Sequence, residues 1–332
     1  MFGKILEALY FKIFVNIVTN RSKTIVYIEK HSRKELLASD EKEFSTLECD
    51  EAMYKFITAH TLESPYYYIS VLDMSHSQGA LPTCSKERIK FYVTIDDGEY
   101  KCINNWTYYT EKENIIEIKR RYSCVGVDYI FSPFVLLSHF FKDKIDTKFA
   151  MYILVQEGFL SLAVFENAQL LYGAHLDMVK EDDFNGIGIE EEDDGEDLFL
   201  DDVDEGDDES SELEDFANIE DLDSLDDIDE FSDSKDMDEE LLESTETLEA
   251  PDEKSFNEDY ERFTLIQESV GEFYKDPRFE SKFIENVYIA DSVGVTSDFK
   301  KYLEEEMFFN VYIRRIDLAL ELCEVAKREQ KL

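Results

Sequence analysis

Residues 152–173 read YILVQEGFLSLAVFENAQLLYG. Two apolar runs, residues 151–155 and 160–165, flank Gln156, Glu157 and Gly158. A third run, residues 169–173, follows Glu166, Asn167 and Ala168. Short apolar runs bounded by polar and glycine positions predict strand, loop, strand, turn, strand. Working outward, the amino-terminal end opens in the same way. KIFVNIVT, residues 12–19, is β-branched and aromatic, Asn20-Arg21-Ser22 is a turn, and residues 23–29 alternate again. A short strand at residues 35–38 follows. A helix over residues 50–61 then carries Met53, Phe56, Ile57 and His60 at helical spacing, and YYYISVL, residues 66–72, reads as a buried strand. Strands that alternate with a helix returning the chain to the same sheet predict an α/β fold.

The middle continues that grammar. Residues 89–95, 115–118 and 125–130 read as strands. Ser132 caps a helix with Pro133 at its first position, and its apolar face is Phe134, Leu137, Phe140 and Phe141. Near the carboxyl end, Phe263, Ile266, Val270 and Phe273 form one stripe of a helix over residues 260–274. Residues 287–290 form a strand, Ser297 caps a helix bearing Phe299, Tyr302, Leu303 and Met307, residues 311–313 form a short strand, and Asp317 caps the last helix. That terminal piece is about 70 residues, too small to bury a core of its own. The expected organisation is a first part at residues 1–179, an acidic insert at 180–258 and a completing part at 259–332.

The insert dominates the composition. The 332 residues hold 34 basic and 78 acidic side chains, a formal charge of −44. Residues 180–258 hold 38 of the acids and 3 of the bases, so they carry −35 and the rest of the chain −9. Self-repulsion at that density outweighs the little apolar area available, which predicts disorder. Within it Phe216, Ile219, Leu222, Leu225, Ile228 and Phe231 recur every three residues. On a helix that spacing circles the cylinder, so it makes no single face. These six are candidates for a short partner-binding motif, with a solvated spacer as the plainer reading. No nucleic acid is expected as a partner, because phosphate binding needs a positive field. No stretch is long and apolar enough to span a bilayer. Cys49, Cys84, Cys102, Cys124 and Cys323 are scattered, odd in number and without a CxxC pair, which predicts reduced thiols in a cytosol.

Catalytic motifs are missing from the sequence. It has no GxGxxG and no GxxxxGK[ST], and its five histidines form no HxH or HxxxH pair. Thr83-Cys84-Ser85-Lys86 offers a nucleophile without a base at workable spacing and reads as a surface loop, and residues 77–82 read as a turn. The stretch from Asp201 to Gly206 places Val203 where a calcium loop needs an oxygen ligand, so no metal site is expected.

The order of elements resembles the actin-like, ribonuclease H-like ATPase superfamily. The matching segments are residues 12–29, 152–173 and 286–313, the last reading NVYIADSVGVTSDFKKYLEEEMFFNVYI. This last segment is similar to the closing segment of the actin-like components of type IV pilus and type II secretion platforms. The resemblance implies mixed sheets flanked by helices, with three loops placed to hold a nucleotide. The loop residues departing from the family pattern are Val18-Thr19-Asn20-Arg21 in place of an Asp-x-Gly turn, then Gln156, Glu157 and Gly158, then Asp291, Ser292, Val293 and Gly294, where one glycine remains of a pair. Phosphate needs close approach to backbone N–H groups, which glycine supplies, so lost glycines and added carboxylates argue against ATP and magnesium. The resemblance then implies a non-catalytic cytoplasmic scaffold, peripheral to an inner membrane. Its partner would be the tail of a membrane protein with one span, and possible further company a secretion-type ATPase. The alternatives are an acidic adaptor or chaperone for basic clients, and an actin-like kinase or ATPase with altered loops.

Overall fold

The structure is a computed structural model that describes residues 10–21, 23–33, 35–93, 98–146, 148–178 and 253–331. Residues 180–252 of the expected insert, with the six-residue apolar series from Phe216 to Phe231, lie outside the described residues, whereas residues 253–258, also expected in the insert, open a helix over Glu253–Lys275.

Two sheets of five strands share one topology. The first uses β1 (Lys12–Thr19), β2 (Thr24–Ser32), β3 (Glu35–Phe44), β4 (Tyr66–Leu72) and β8 (Tyr129–Phe131), in the order β3-β2-β1-β4-β8. The second uses β9 (Phe149–Gln156), β10 (Phe159–Glu166), β11 (Gln169–Asp177), β12 (Asn286–Asp291) and β13 (Asn310–Arg315), in the order β11-β10-β9-β12-β13. In each sheet the first three strands are an antiparallel meander. The fourth strand then joins the first in parallel and the fifth joins the fourth in parallel. This doubled arrangement is the actin-like, ribonuclease H-like α/β fold. Strand β12 pairs with β9 with Tyr288 opposite Tyr152 and Ile289 opposite Ile153, so the second sheet is built from both sides of the insert.

The central strands β1 and β9 are buried on both faces, which is why they read as continuous apolar runs. Five layers result. On the outer face of the first sheet, Met53 and Ile57 of α1 (Glu51–Thr61) and Ile118 of α3 (Lys112–Arg121) pack with Ile13, Val15 and Ile17. Between the sheets lie α4 (Pro133–Phe140) and α8 (Leu318–Glu329), with Phe134 and Leu137 of one and Leu322 and Ala326 of the other against Phe14, Tyr152 and Phe165. On the outer face of the second sheet, Phe263, Ile266, Val270 and Phe273 of α6 (Glu253–Lys275) pack with Phe299 and Leu303 of α7 (Ser297–Glu305). Helix α8 is also pinned by charge. The Glu29 carboxylate, almost fully buried, accepts from Lys327 Nζ at 2.9 Å, His31 Nε2 at 2.6 Å and Tyr27 OH at 2.8 Å. Burial alone would raise this carboxyl, and the three donors instead hold it down to about 2.

A small sheet, β5 (Gln78–Leu81), β6 (Gly98–Ile103) and β7 (Trp106–Glu111) in the order β5-β7-β6, leans on the edge of the second. A Cβ at Gly173 of β11 would meet Ala80 Cβ at 2.8 Å and the Ala80 carbonyl oxygen at 2.9 Å, so only glycine permits that approach.

Several sequence expectations need correction. Residues 86–92 form helix α2 (Lys86–Tyr92), where residues 89–95 were expected as a strand. Residues 115–118 lie inside α3, because Ile118 is the buried position of a helix whose other sides carry charge. Residues 77–82 hold strand β5 where a turn was expected, with Gly79 opposite Tyr109. Strand β3 runs on to Phe44, and α7 is capped by the Thr296 side chain and not by Ser297. A short α5 (Lys142–Ile145) follows α4.

The thiols are the largest correction. Cys49 is disulfide-bonded to Cys124 and Cys84 to Cys102, leaving Cys323 as a buried free cysteine. Sequence separations of 75 and 18 concealed both pairs. The first is brought together where the Cys49 N–H donates to the Arg121 carbonyl at the end of α3. In the second, Leu81 and Cys102 both sit opposite Thr107 of β7. With these cysteines paired, the thiol argument for a reducing compartment no longer stands.

Candidate functional site

The segments that follow β1, β9, β12 and β13 all line one opening, and in parallel α/β sheets the ends of the strands are where ligands sit. A cleft of about 540 Å³ opens there. Its lining includes Asn20 and Lys23 from the β1–β2 tip, Glu157 from the β9–β10 tip, Ser292 and Val293 after β12, and Asp317 at the start of α8. Glu41 of β3 and Glu258 and Arg262 of α6 complete the charged wall. The three loop regions singled out in the sequence therefore come together around one opening.

These loops are closed by side chains of the chain itself, the β9–β10 tip by Arg21 of the β1–β2 tip and the loop after β12 by its own Asp291. Gly158 has φ +95°, a backbone that favours glycine, and Arg21 lies against it: a Cβ at Gly158 would stand 2.1 Å from Arg21 Nε. The Arg21 guanidinium donates to the carbonyl of Met178, reaches the Gly158 carbonyl at 3.5 Å and lies 3.9 Å from Asp177. Gln156 is fully buried at the end of β9, with its side-chain nitrogen 3.1 Å from Met74 Sδ. In the third loop the Asp291 carboxylate accepts from the N–H groups of Val293 at 3.0 Å, Gly294 at 2.8 Å and Val295 at 3.1 Å. Arg315 pairs with it at 3.0 Å. Ser292 donates its hydroxyl to the Val155 carbonyl at 2.7 Å, tying this loop to β9.

Successive N–H groups of this kind form a concavity suited to an anion. Here the anion is Asp291 itself. A nucleoside polyphosphate would need those N–H groups, would meet Arg21 over Gly158, and would face Glu157. The residues present do not fit such a ligand in this arrangement.

The cations of the cleft are engaged locally. Lys23 donates to Glu43 at 2.7 Å, and the buried Arg262 donates to Asp259 at 2.6 Å and to Glu258 at 2.8 Å. Asp259 in turn accepts from the Thr296 N–H and hydroxyl at 2.9 and 2.6 Å, which locks α6 to the α7 cap. Burial pushes the Glu41 carboxyl up, and Asp317 and Glu43 push it further against the pull of Lys23. The cleft is thus an acidic surface.

Among the described residues that line the cleft there is no cysteine and no histidine. Ser161 Oγ lies 2.9 Å from His175 Nδ1, but Ser161 is fully buried. Burial and then the neighbouring His76 hold the His175 imidazole down to about 4, so it is neutral near pH 7. Among the described residues no group of three or more His, Cys, Asp or Glu is placed to hold a metal. Among them, too, no helix is long and apolar enough to cross a membrane.

The sequence named Gln156, Glu157, Gly158, Asp291, Ser292 and Gly294, and the structure brings all six to the loops around the cleft. It did not single out Arg315, the ion-pair partner of Asp291, and it named Asp317 only as the cap of the last helix. Arg21 stood in the sequence as a departure from a glycine turn, and that substitution was the available signal for its position over Gly158.

Comparison with known proteins adds the following. No curated protein matches the chain. Among solved structures, a Bacteroides thetaiotaomicron protein described as having an actin-like ATPase fold and unknown function is 12% identical at TM-score 0.44, covering 94% of this chain and 95% of that one. A PilM–PilN type IV pilus biogenesis complex is 11% identical at TM-score 0.44, covering 94% of each chain. The activator of 2-hydroxyisocaproyl-CoA dehydratase from Clostridium difficile, with bound ADPNP, is 8% identical at TM-score 0.38, covering 97% of each. Residues 10–138 match the family model described as Domain of unknown function (DUF8569). Residues 151–331, more than half of the sequence, match a second model, and the chain belongs to that family, described as Domain of unknown function (DUF8341).

Proposed function

We propose that this chain is a non-catalytic actin-like scaffold that binds a protein partner. The observation that carries this reading is the self-occupied loop after β12, where Asp291 takes the N–H groups of Val293, Gly294 and Val295. The Arg21 position over Gly158 supports it from the opposite lobe. Binding energy for a phosphate at these loops would first have to displace a buried carboxylate from three hydrogen bonds and an ion pair. The fold keeps its two lobes and its cleft, which suits a role in holding another chain.

The sequence resemblance of residues 286–313 directs the choice of partner to the tail of a membrane protein with one span, in a pilus, secretion or DNA-uptake platform. The scaffold would then be peripheral to the membrane through that partner. The side of the membrane rests on the resemblance alone, since the cysteines are paired.

The test is affinity recovery from detergent-solubilised membranes with immobilised full-length protein. A recovered protein with one membrane span, displaced by a synthetic peptide of its own tail, is the expected result. Turnover of magnesium ATP by the purified chain would overturn the reading.

A further inference from the structure

Strand β3 is the last strand of its sheet, and among the described residues no strand pairs with its outer side. It is 10 residues long and every residue but Phe44 is exposed. An edge of this length presents alternating N–H and C=O groups ready to pair with another chain. The strand holds no proline, and its one irregularity in register lies opposite Lys30 and His31, near its beginning.

Its side chains specify what it would pair with. The strand carries Glu35, Asp40, Glu41 and Glu43 against the single Lys42. Lys42 is drawn aside, its ammonium over the rings of Phe44 at 5.2 Å and Phe56 at 5.6 Å. Beyond the irregularity the strand alternates faces. Asp40, within 3.2 Å of His60, and Lys42 lie towards α1. Glu41 and Glu43 lie on the other face; Lys23 pairs with the exposed Glu43 at 2.7 Å, so a basic peptide side chain would share or displace that lysine there, while Glu41 lines the acidic cleft with Glu157, Glu258 and Asp317. The acidic field of the edge is therefore continuous with that of the cleft. Two β3 edges paired with each other would set carboxylates against carboxylates, which disfavours a second copy as the occupant.

We propose that the outer edge of β3 is a docking strand for an extended basic peptide of the protein partner, which adds to the first sheet with Lys or Arg side chains facing Glu41 and Glu43. The inference rests on the scaffold reading and names its contact surface. Backbone pairing supplies the attachment and the alternate basic residues supply the selectivity. Exposed Leu36 and Leu37, at 49% and 55%, offer apolar contact at the start of the strand.

The experiment measures hydrogen exchange of full-length protein at moderate salt, with a short alternating lysine–valine peptide and with its glutamate–valine twin. The expected result is slowed exchange at amides of residues 38–44 with the lysine peptide and none with the twin. The E41Q/E43Q variant, altered only at exposed positions, should weaken that protection about fivefold in apparent affinity. Binding of the lysine peptide to the acidic insert alone would leave β3 amides unprotected and overturn the inference. Equal protection by both peptides, or protection by self-association without peptide, would overturn it too. A genuine partner captured with β3 amides unprotected would remove this surface and leave the scaffold reading standing. The scaffold reading fails separately, on nucleotide turnover.

Discussion

The guanidinium of Arg21, at the tip of the β1–β2 hairpin, lies against Gly158, 137 residues further along the chain at the tip of the β9–β10 hairpin. The two hairpins belong to different sheets, so this contact joins the lobes at the mouth of the cleft. Gly158→Ala would place a methyl 2.1 Å from Arg21 Nε and strain a backbone at φ +95°. Arg21 is a flexible side chain and can give way, so the expected loss is about 1–2 kcal/mol, mostly from the left-handed backbone. Urea denaturation checks it. In an Arg21→Ala background the same glycine change should lose only the backbone part, and the double-mutant cycle reads the difference.

Asp291 is the second constraint at the cleft. Asp291→Ala removes a carboxylate that is 1% exposed and leaves three backbone N–H groups without their acceptor, while the exposed Arg315 turns to water. A loss of about 2–4 kcal/mol is expected, with Asp291→Asn losing less because one oxygen remains. Denaturation midpoints of the two variants, compared with the wild type, test that ranking.

His175 sets an acid limit on stability. Its imidazole titrates near 4 in the fold, held down by burial and then by His76, against about 6.5 in the unfolded chain. Between those values the unfolded chain takes up a proton that the fold refuses. Stability therefore falls as pH drops from about 6.5 towards 4, with a slope approaching 1.4 kcal/mol per pH unit. His175→Phe, which can keep the stack on Phe159, should flatten that slope. An unchanged slope would show that His175 carries no such linkage.

The pairing Cys49–Cys124 and Cys84–Cys102 predicts that alkylation of the native protein labels none of these four, and that Cys323 reacts only after unfolding. Reduction should lower stability by about 3–5 kcal/mol for each bridge opened, the more for the longer loop, since loops of 75 and 18 residues are released in the unfolded chain. Peptide mapping by mass spectrometry before and after reduction reads both results.

Much of the fold was legible where burial imposes a period. The stripe Phe263, Ile266, Val270 and Phe273 is buried in α6 as its spacing required, and the apolar runs of β1 and β9 are the two central strands. Residues 89–95 and 115–118 misled because a short apolar run fits a strand or one turn of an amphipathic helix equally well. Strands β5, β6 and β7 escaped notice because their identity lies in partners: Gly79 is a strand residue only once Tyr109 stands opposite. The disulfides were hidden for the same reason. At the site, the loop glycines and carboxylates could be named in sequence. That Asp291 turns back onto the N–H groups of its own loop is a matter of three-dimensional geometry, and so is the placement of Arg21.

The central claim, an actin-like scaffold whose nucleotide loops are occupied by its own side chains, is tested most directly by isothermal titration of magnesium ATP into the full-length protein. The account predicts no saturable heat at concentrations up to about 1 mM. Magnesium-dependent binding tighter than about 100 μM would contradict it, because ATP would then have displaced Asp291 and Arg21 from the loops they close.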